Sequence, residues 1–170
     1  HDFESSYATW NILFYYCLQM QQDVGDPPSV SGWPAYYQIP TFHEMWINND
    51  TYPKRNQFTD TIVYNGFTTN NFEMKVDTVA FARSLSNPGD PAMLIEDALA
   101  VLYRIQLSDT IKEQLKREIL LTGQTTDLYW TNAWNTYRAN PTDMMAYQTV
   151  HTRLNDLFKY LLALPEYQLS

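Results

Sequence analysis

The chain has 170 residues, of which 45% are hydrophobic, 18% charged and 15% aromatic, a globular composition that excludes a disordered chain. Nineteen acidic against eleven basic residues give a formal charge of -8, which would repel a phosphate backbone or an anionic bilayer and sets nucleic-acid and membrane-surface partners aside. At this length about 70% of the unfolded chain's surface can be buried, enough for one core, so a single domain over residues 1–170 is expected.

The first predicted element is a helix after Ser5 and Ser6 as N-caps, with Tyr7, Trp10, Leu13, Phe14, Cys17 and Met20 recurring at three- and four-residue steps and an end near Gly25. Cys17 lies on that apolar stripe and reads as a buried thiol acting as a small hydrophobe rather than as a nucleophile. As the lone cysteine, it excludes an intrachain disulfide and a Cys-rich zinc cluster and leaves the cellular compartment open.

Asp26 to Pro40 follows with Pro27, Pro28, Gly32, Pro34 and Pro40, a density of prolines through which no helix runs. A short helix is predicted over 41–48. Asp50 or Thr51 would cap another that takes Pro53 into its first turn and runs to about Tyr64. Lys54 and Arg55 then sit against the positive end of that helix, a placement that a carboxylate partner, or a ligand for Arg55, would relieve. Asn65, Gly66, Asn70 and Asn71 mark turns, and Phe72, Met74 and Val76 alternate with polar residues, which allows one small hairpin.

The second half is more regular. Asp77 to Ser86 reads as a helix stopped by Asn87-Pro88-Gly89. Asp90 caps the next, with Pro91 at its first position, Leu94, Ile95, Ala98, Leu99, Leu102 and Ile105 on the buried face, and Glu96, Asp97 and Arg104 toward water. Ser108 caps a helix whose stripe is Ile111, Leu115 and Ile119, with Glu113 and Arg117 as an ion pair and Gly123 as its left-handed terminus. Thr126 opens one carrying Trp130, Ala133, Trp134 and Tyr137. Asn140, Pro141 and Asp143 open the longest, striped by Tyr147, Val150, Leu154, Leu157, Phe158, Leu161 and Leu162 and ending before Pro165. Roughly seven helices and at most one short hairpin make the expected fold class all-α, an irregular multi-helix bundle with a long Pro-rich aromatic loop.

Signatures of catalysis are sparse. There is no nucleophile elbow, Walker loop, dinucleotide fingerprint or EF-hand loop. His43-Glu44 begins like a zinc-protease motif, but Ile47 stands where the second imidazole would be needed, so no metal is assigned. His151 beside the last helix's stripe reads as a hydrogen-bonded boundary histidine. The adjacent acids Glu96-Asp97 and the pair Asp23 and Asp26 read as solvated faces. No catalytic residue and no cofactor is therefore expected, and the fragment leans away from being an enzyme.

The concentration of unusual chemistry lies in the proline loop and just after it. Trp33, Tyr36, Tyr37 and Trp46 offer aromatic faces, and Gln38, His43, Glu44, Asn48 and Arg55 offer polar partners. Two readings follow: a proline-stiffened loop that Trp33 anchors to a helical body, with Gly32 at positive φ, or a stacking surface for a glycan or peptide, part of a hydrolase in the fullest version.

Asp26-Pro-Pro-Ser-Val-Ser-Gly-Trp-Pro34, followed by Trp46-Ile-Asn48 and Lys54-Arg55, resembles the bacterial domain-of-unknown-function family DUF1800, whose members carry a similar PP-x-V-x-GWP box near their C-terminal end. Tyr36-Tyr37-Gln38, Leu120-Leu-Thr-Gly-Gln124 and Tyr129-Trp-Thr-Asn-Ala-Trp134 are similar to its Bacteroidetes branch. The resemblance implies a helical, exported bacterial protein, located in the periplasm, cell envelope or extracellular space, of which this chain is a C-terminal portion. A start at His1, leading almost directly into an aromatic helix, carries the same expectation. Expected partners are accordingly another protein or the preceding part of the same polypeptide, with a glycan as the alternative. No apolar run is long enough to span a bilayer.

Overall fold

The computed structural model describes residues 3–23, 25–27, 30–32, 47–69 and 72–168. The chain divides into two compact units, His1–Val76 and Asp77–Gln168. Eight α-helices, a π-helical segment and one two-stranded hairpin are present among the described residues, so the fold is the expected all-α multi-helix one.

The first unit contains α1 (Phe3–Gln19), α2 (Thr51–Tyr64), and strands β1 (Phe67–Thr69) and β2 (Phe72–Met74). The strands pair antiparallel, Phe67 opposite Met74 and Thr68 opposite Glu73, which is the small hairpin the alternation foretold. Gly66 ends α2 at φ +71, its N–H donating to the Thr61 carbonyl at 2.7 Å. Val76 then returns to α2 through its N–H on the Ile62 carbonyl, 3.0 Å away. An aromatic trio of Tyr16, Phe58 and Phe67, with ring centroids 4.9 to 5.7 Å apart, ties α1, α2 and the hairpin together. Burial pushes the Tyr16 phenol up from its ordinary pKa, with neighbouring Tyr15 adding to the shift.

Three expectations for this unit are corrected. Ser5 and Ser6 lie inside α1 rather than at its cap, and the Ser5 carbonyl accepts from the Thr9 hydroxyl at 2.9 Å. The stripe read as core is buried only at Met20, beyond the helix end at Gln19: no residue of α1 is buried, and Cys17 is half-buried. The start of α2 is capped by Asn48, not by Asp50 or Thr51. The Asn48 side-chain oxygen accepts from the Asp50 and Thr51 N–H groups at 2.9 Å, and the buried Thr51 hydroxyl accepts from the Asn48 N–H at 3.0 Å. This reciprocal pair is a capping box in which Thr51 replaces the usual acid.

The second unit contains α3 (Thr78–Arg83), α4 (Pro91–Leu102), α5 (Asp109–Gln114), the π segment (Leu115–Leu120), α6 (Leu128–Ala139), α7 (Met144–Ala163) and α8 (Pro165–Gln168). Its core is built largely from the predicted stripes, with Tyr103, Leu107, Leu120 and Leu121 added from between them. Leu94, Ile95, Ala98 and Leu99 of α4 meet Trp130 and Trp134 of α6 and Val150, Leu154, Leu157 and Leu161 of α7 in one buried cluster. Fully burying a large aliphatic side chain contributes about 1.5 to 3 kcal/mol. Asp77, Asp90, Ser108 and Asp143 cap α3, α4, α5 and α7 with their side chains.

The α4 stripe ends early, and one expected ion pair is replaced. Helix α4 stops at Leu102 because Tyr103 turns extended, is buried, and donates its hydroxyl to the Leu161 carbonyl at the end of α7, which leaves Ile105 exposed. Burial pushes the Tyr103 hydroxyl far above the ordinary tyrosine range. The predicted Glu113–Arg117 pair does not form. Glu113 instead pairs with Lys116 at 2.9 Å. The reason is the π segment, where the Leu121 N–H reaches back five residues to the Lys116 carbonyl and the four-residue register is lost. Asp97 keeps the solvent-facing place expected of it and there accepts from both the N–H and the hydroxyl of Ser86.

Candidate functional site

Of the residues singled out in the sequence, Trp33, Tyr36, Tyr37, Gln38, His43, Glu44 and Trp46 lie outside the described residues, as does most of the helix expected over 41–48. Gly32 holds the positive φ foreseen for it, +90. Asn48 and Arg55 are described. Asn48 spends its side-chain oxygen on the cap of α2. Arg55 is half-buried on α2, and its Nε has no hydrogen-bond partner. Desolvation holds its guanidinium below the ordinary arginine pKa. The carboxylate anticipated near the start of α2 is there for Lys54, which pairs with Asp50 at 2.7 Å.

Two features that the motif search did not single out stand out in the structure. The first is the surface of α1. Its hydrophobic residues are distributed around the helix rather than confined to one stripe, and Phe3, Tyr7, Trp10, Phe14 and Tyr15 are all more than half exposed, Trp10 at 69%. Glu4 is the one charged residue between Phe3 and Gln19. Helices that are apolar all round are ordinarily enclosed by protein, and a contiguous aromatic surface of this kind marks an interaction site. That these aromatic side chains are left exposed was not legible in the sequence.

The second feature is a cleft of about 410 Å³ within Asp77–Gln168. One wall is the Ser86–Gly89 turn and the end of α3; the other is the C-terminal half of α6. The turn is held against α6 by two hydrogen bonds. The Trp130 indole N–H donates to the Pro88 carbonyl at 2.8 Å, and the Thr131 hydroxyl donates to the Gly89 carbonyl at 2.9 Å. Gly89 makes a close approach: a Cβ there would stand 3.1 Å from Cδ1 of Trp134 and would press the indole to shift. Behind the turn, Asp97 grips Ser86, and those hydrogen bonds hold its carboxyl below the ordinary carboxylate pKa. Arg83 and Arg138 enter the cleft from the last turns of α3 and α6.

A family model described as a protein of unknown function, DUF1800, matches residues 6–169. The chain belongs to the DUF1800 family. Neither a curated protein nor a solved structure matches it. The helical character that the resemblance implied is the character of this DUF1800 chain.

His151 is held by Asn155, whose amide nitrogen lies 3.3 Å from Nε2, and it stacks on Tyr147 with ring centroids 5.3 Å apart, the boundary histidine expected. Among the described residues no three His, Cys, Asp or Glu side chains are grouped to hold a metal. No described helix is long and apolar enough to cross a membrane.

Proposed function

We propose that the chain is a noncatalytic interaction module of an exported bacterial protein, and that α1 is the element it presents to a protein partner. The observation that carries this reading is the exposed aromatic surface of α1, a 17-residue helix with no buried residue. A single charge on the helix means that recognition is by burial of apolar area, so the complementary surface is an apolar groove of the kind that receives amphipathic helices. Export rests on the family resemblance of the Pro-Pro…Gly-Trp-Pro box.

The test is Trp10→Glu combined with Phe14→Glu. Because both side chains are exposed, the double variant should keep its unfolding free energy within about 0.5 kcal/mol of the parent. It should also bind several-fold less of a hydrophobic-surface dye and lose any concentration-dependent association seen by sedimentation velocity. A loss of several kcal/mol of stability would show that α1 is core and overturn the reading.

A second reading, a glycan or peptide site around Trp33 and His43, draws support from Arg55, whose half-buried Nε lacks a hydrogen bond. Thermal unfolding against oligosaccharides and peptides, with His43→Ala as control, tests it; a ligand-dependent shift abolished in a variant that still folds would favour it.

A further inference from the structure

The cleft between the Ser86–Gly89 turn and α6 has a charge that runs against the rest of the chain. The protein carries nineteen acidic residues and a formal charge of -8, yet the cleft lining contains two guanidinium groups, Arg83 and Arg138, and no carboxylate. Among the described residues neither arginine forms an ion pair, although Lys54, Lys112 and Lys116 all do. Placement at the last turn of a helix accounts for each arginine singly, since a cation there complements the helix dipole. It does not account for both arginines lining one concavity that contains no carboxylate.

The remaining lining fits such a ligand. Asn87 and Asn135 supply amide donors beside the guanidinium groups, and the buried Trp134 and Tyr137 contribute a floor from which bulk water is partly excluded. The walls are fixed in advance of binding by the Trp130–Pro88 and Thr131–Gly89 hydrogen bonds and by the Asp97–Ser86 contact. A volume of about 410 Å³ falls within the roughly 300–1,000 Å³ of small-molecule sites. We propose that this cleft binds a small ligand through a doubly charged oxyanion, a phosphate monoester or a dicarboxylate, with Arg83 and Arg138 as its two anchors. The forked guanidinium geometry suits both oxyanions equally. This site is separate from α1 and independent of the interaction reading.

The experiment is a heteronuclear NMR titration of the full 170-residue chain with inorganic phosphate and, in a separate arm, with succinate, each at ionic strength held constant with sodium chloride. Saturable shifts should appear at the Trp134 indole N–H, the Asn135 side-chain amide and the Gly89 backbone amide. A response to phosphate alone would assign the site to phosphate esters, and a response to succinate alone to carboxylates. Arg83→Gln and Arg138→Gln should each weaken binding on the order of tenfold, the loss of one charge-assisted contact, and the double variant should show no saturation. Because both positions are exposed, the free variants should melt as the parent does, and Arg83→Lys or Arg138→Lys should keep part of the affinity that the Gln variants lose. The proposal is overturned if neither anion produces saturable shifts by 10 mM, on the order of a weak physiological ligand's dissociation constant. It is equally overturned if the shifts persist in the double variant or if sodium chloride alone reproduces them.

Discussion

The indole Nε1 of Trp130 donates a 2.8 Å hydrogen bond to the carbonyl oxygen of Pro88, 42 residues earlier in the chain. Trp130 is completely buried, so this one contact fixes a surface turn to the centre of the second unit's core. Pro88 lies in the turn beyond α3, which ends at Arg83, and its carbonyl is the anchor of the cleft wall. Trp130→Phe removes the donor, leaves the Pro88 carbonyl unsatisfied and opens space in the core. Chemical denaturation should register a loss of about 2 to 4 kcal/mol, while Thr131→Val, which removes the neighbouring bond to Gly89, should cost about 1 kcal/mol.

A buried polar pair makes a second prediction. The Thr78 hydroxyl donates to the Asn155 side-chain oxygen at 2.6 Å, with both residues essentially inaccessible. Thr78→Val leaves that oxygen without its donor in an apolar setting, at a cost of about 1 to 3 kcal/mol. Asn155→Leu alone strands the hydroxyl in the same way. The double substitution should cost clearly less than the sum of the two, and a strictly additive double-mutant cycle would mean that the bond contributes nothing.

These two contacts show what the sequence could and could not convey. The stripes on α4, α6 and α7 were legible because a long helix with one apolar face has few alternatives, and the caps at Asp90 and Ser108 were legible because their side chains act within three residues. Contacts between distant residues leave no local trace. Nothing near Tyr103 in the chain signals that its hydroxyl will reach Leu161 and end α4, and nothing near Glu113 signals the π segment that takes Arg117 away from it. The cleft escaped notice for the same reason: Arg83 and Arg138 converge only through the fold. Of the site proposed from the aromatic loop, Asn48 and Arg55 lie among the described residues, and the former is accounted for by its cap.

Acidity should act on the second unit through Asp97. Its hydrogen bonds from Ser86 hold the folded-state pKa below the ordinary aspartate value of about 3.9. The stabilisation is therefore fully present above the unfolded pKa and is lost as pH falls through the lower, folded-state pKa. Asp97→Asn should flatten this part of the pH–stability profile, measured by denaturation between neutral and strongly acidic pH. An unchanged slope in the variant would show that Asp97 does not bind protons differently in the two states.

Two glycines with positive φ should respond differently to alanine. At Gly66, φ +71, an added Cβ would stand 2.9 Å from the Lys75 Cβ and 3.0 Å from the Met74 carbonyl oxygen; at Gly123, φ +83, it would meet nothing within 4 Å. Gly123→Ala should therefore cost about 1 kcal/mol of backbone strain, and Gly66→Ala distinctly more, because the hairpin must shift as well. Equal costs would contradict the close approach of Lys75 to the end of α2.

The central claim is that α1 is a surface awaiting a partner, and amide hydrogen exchange on the 170-residue chain at concentrations where it is monomeric tests it most directly. An unsupported helix of this length is marginal in water, whereas α7 carries seven buried residues. The account predicts that amides in the N-terminal part of α1, ahead of the Tyr16 contact, exchange orders of magnitude faster than those at the centre of α7. Protection of that part of α1 comparable to α7 would contradict it, because the helix would then already be enclosed by its own chain.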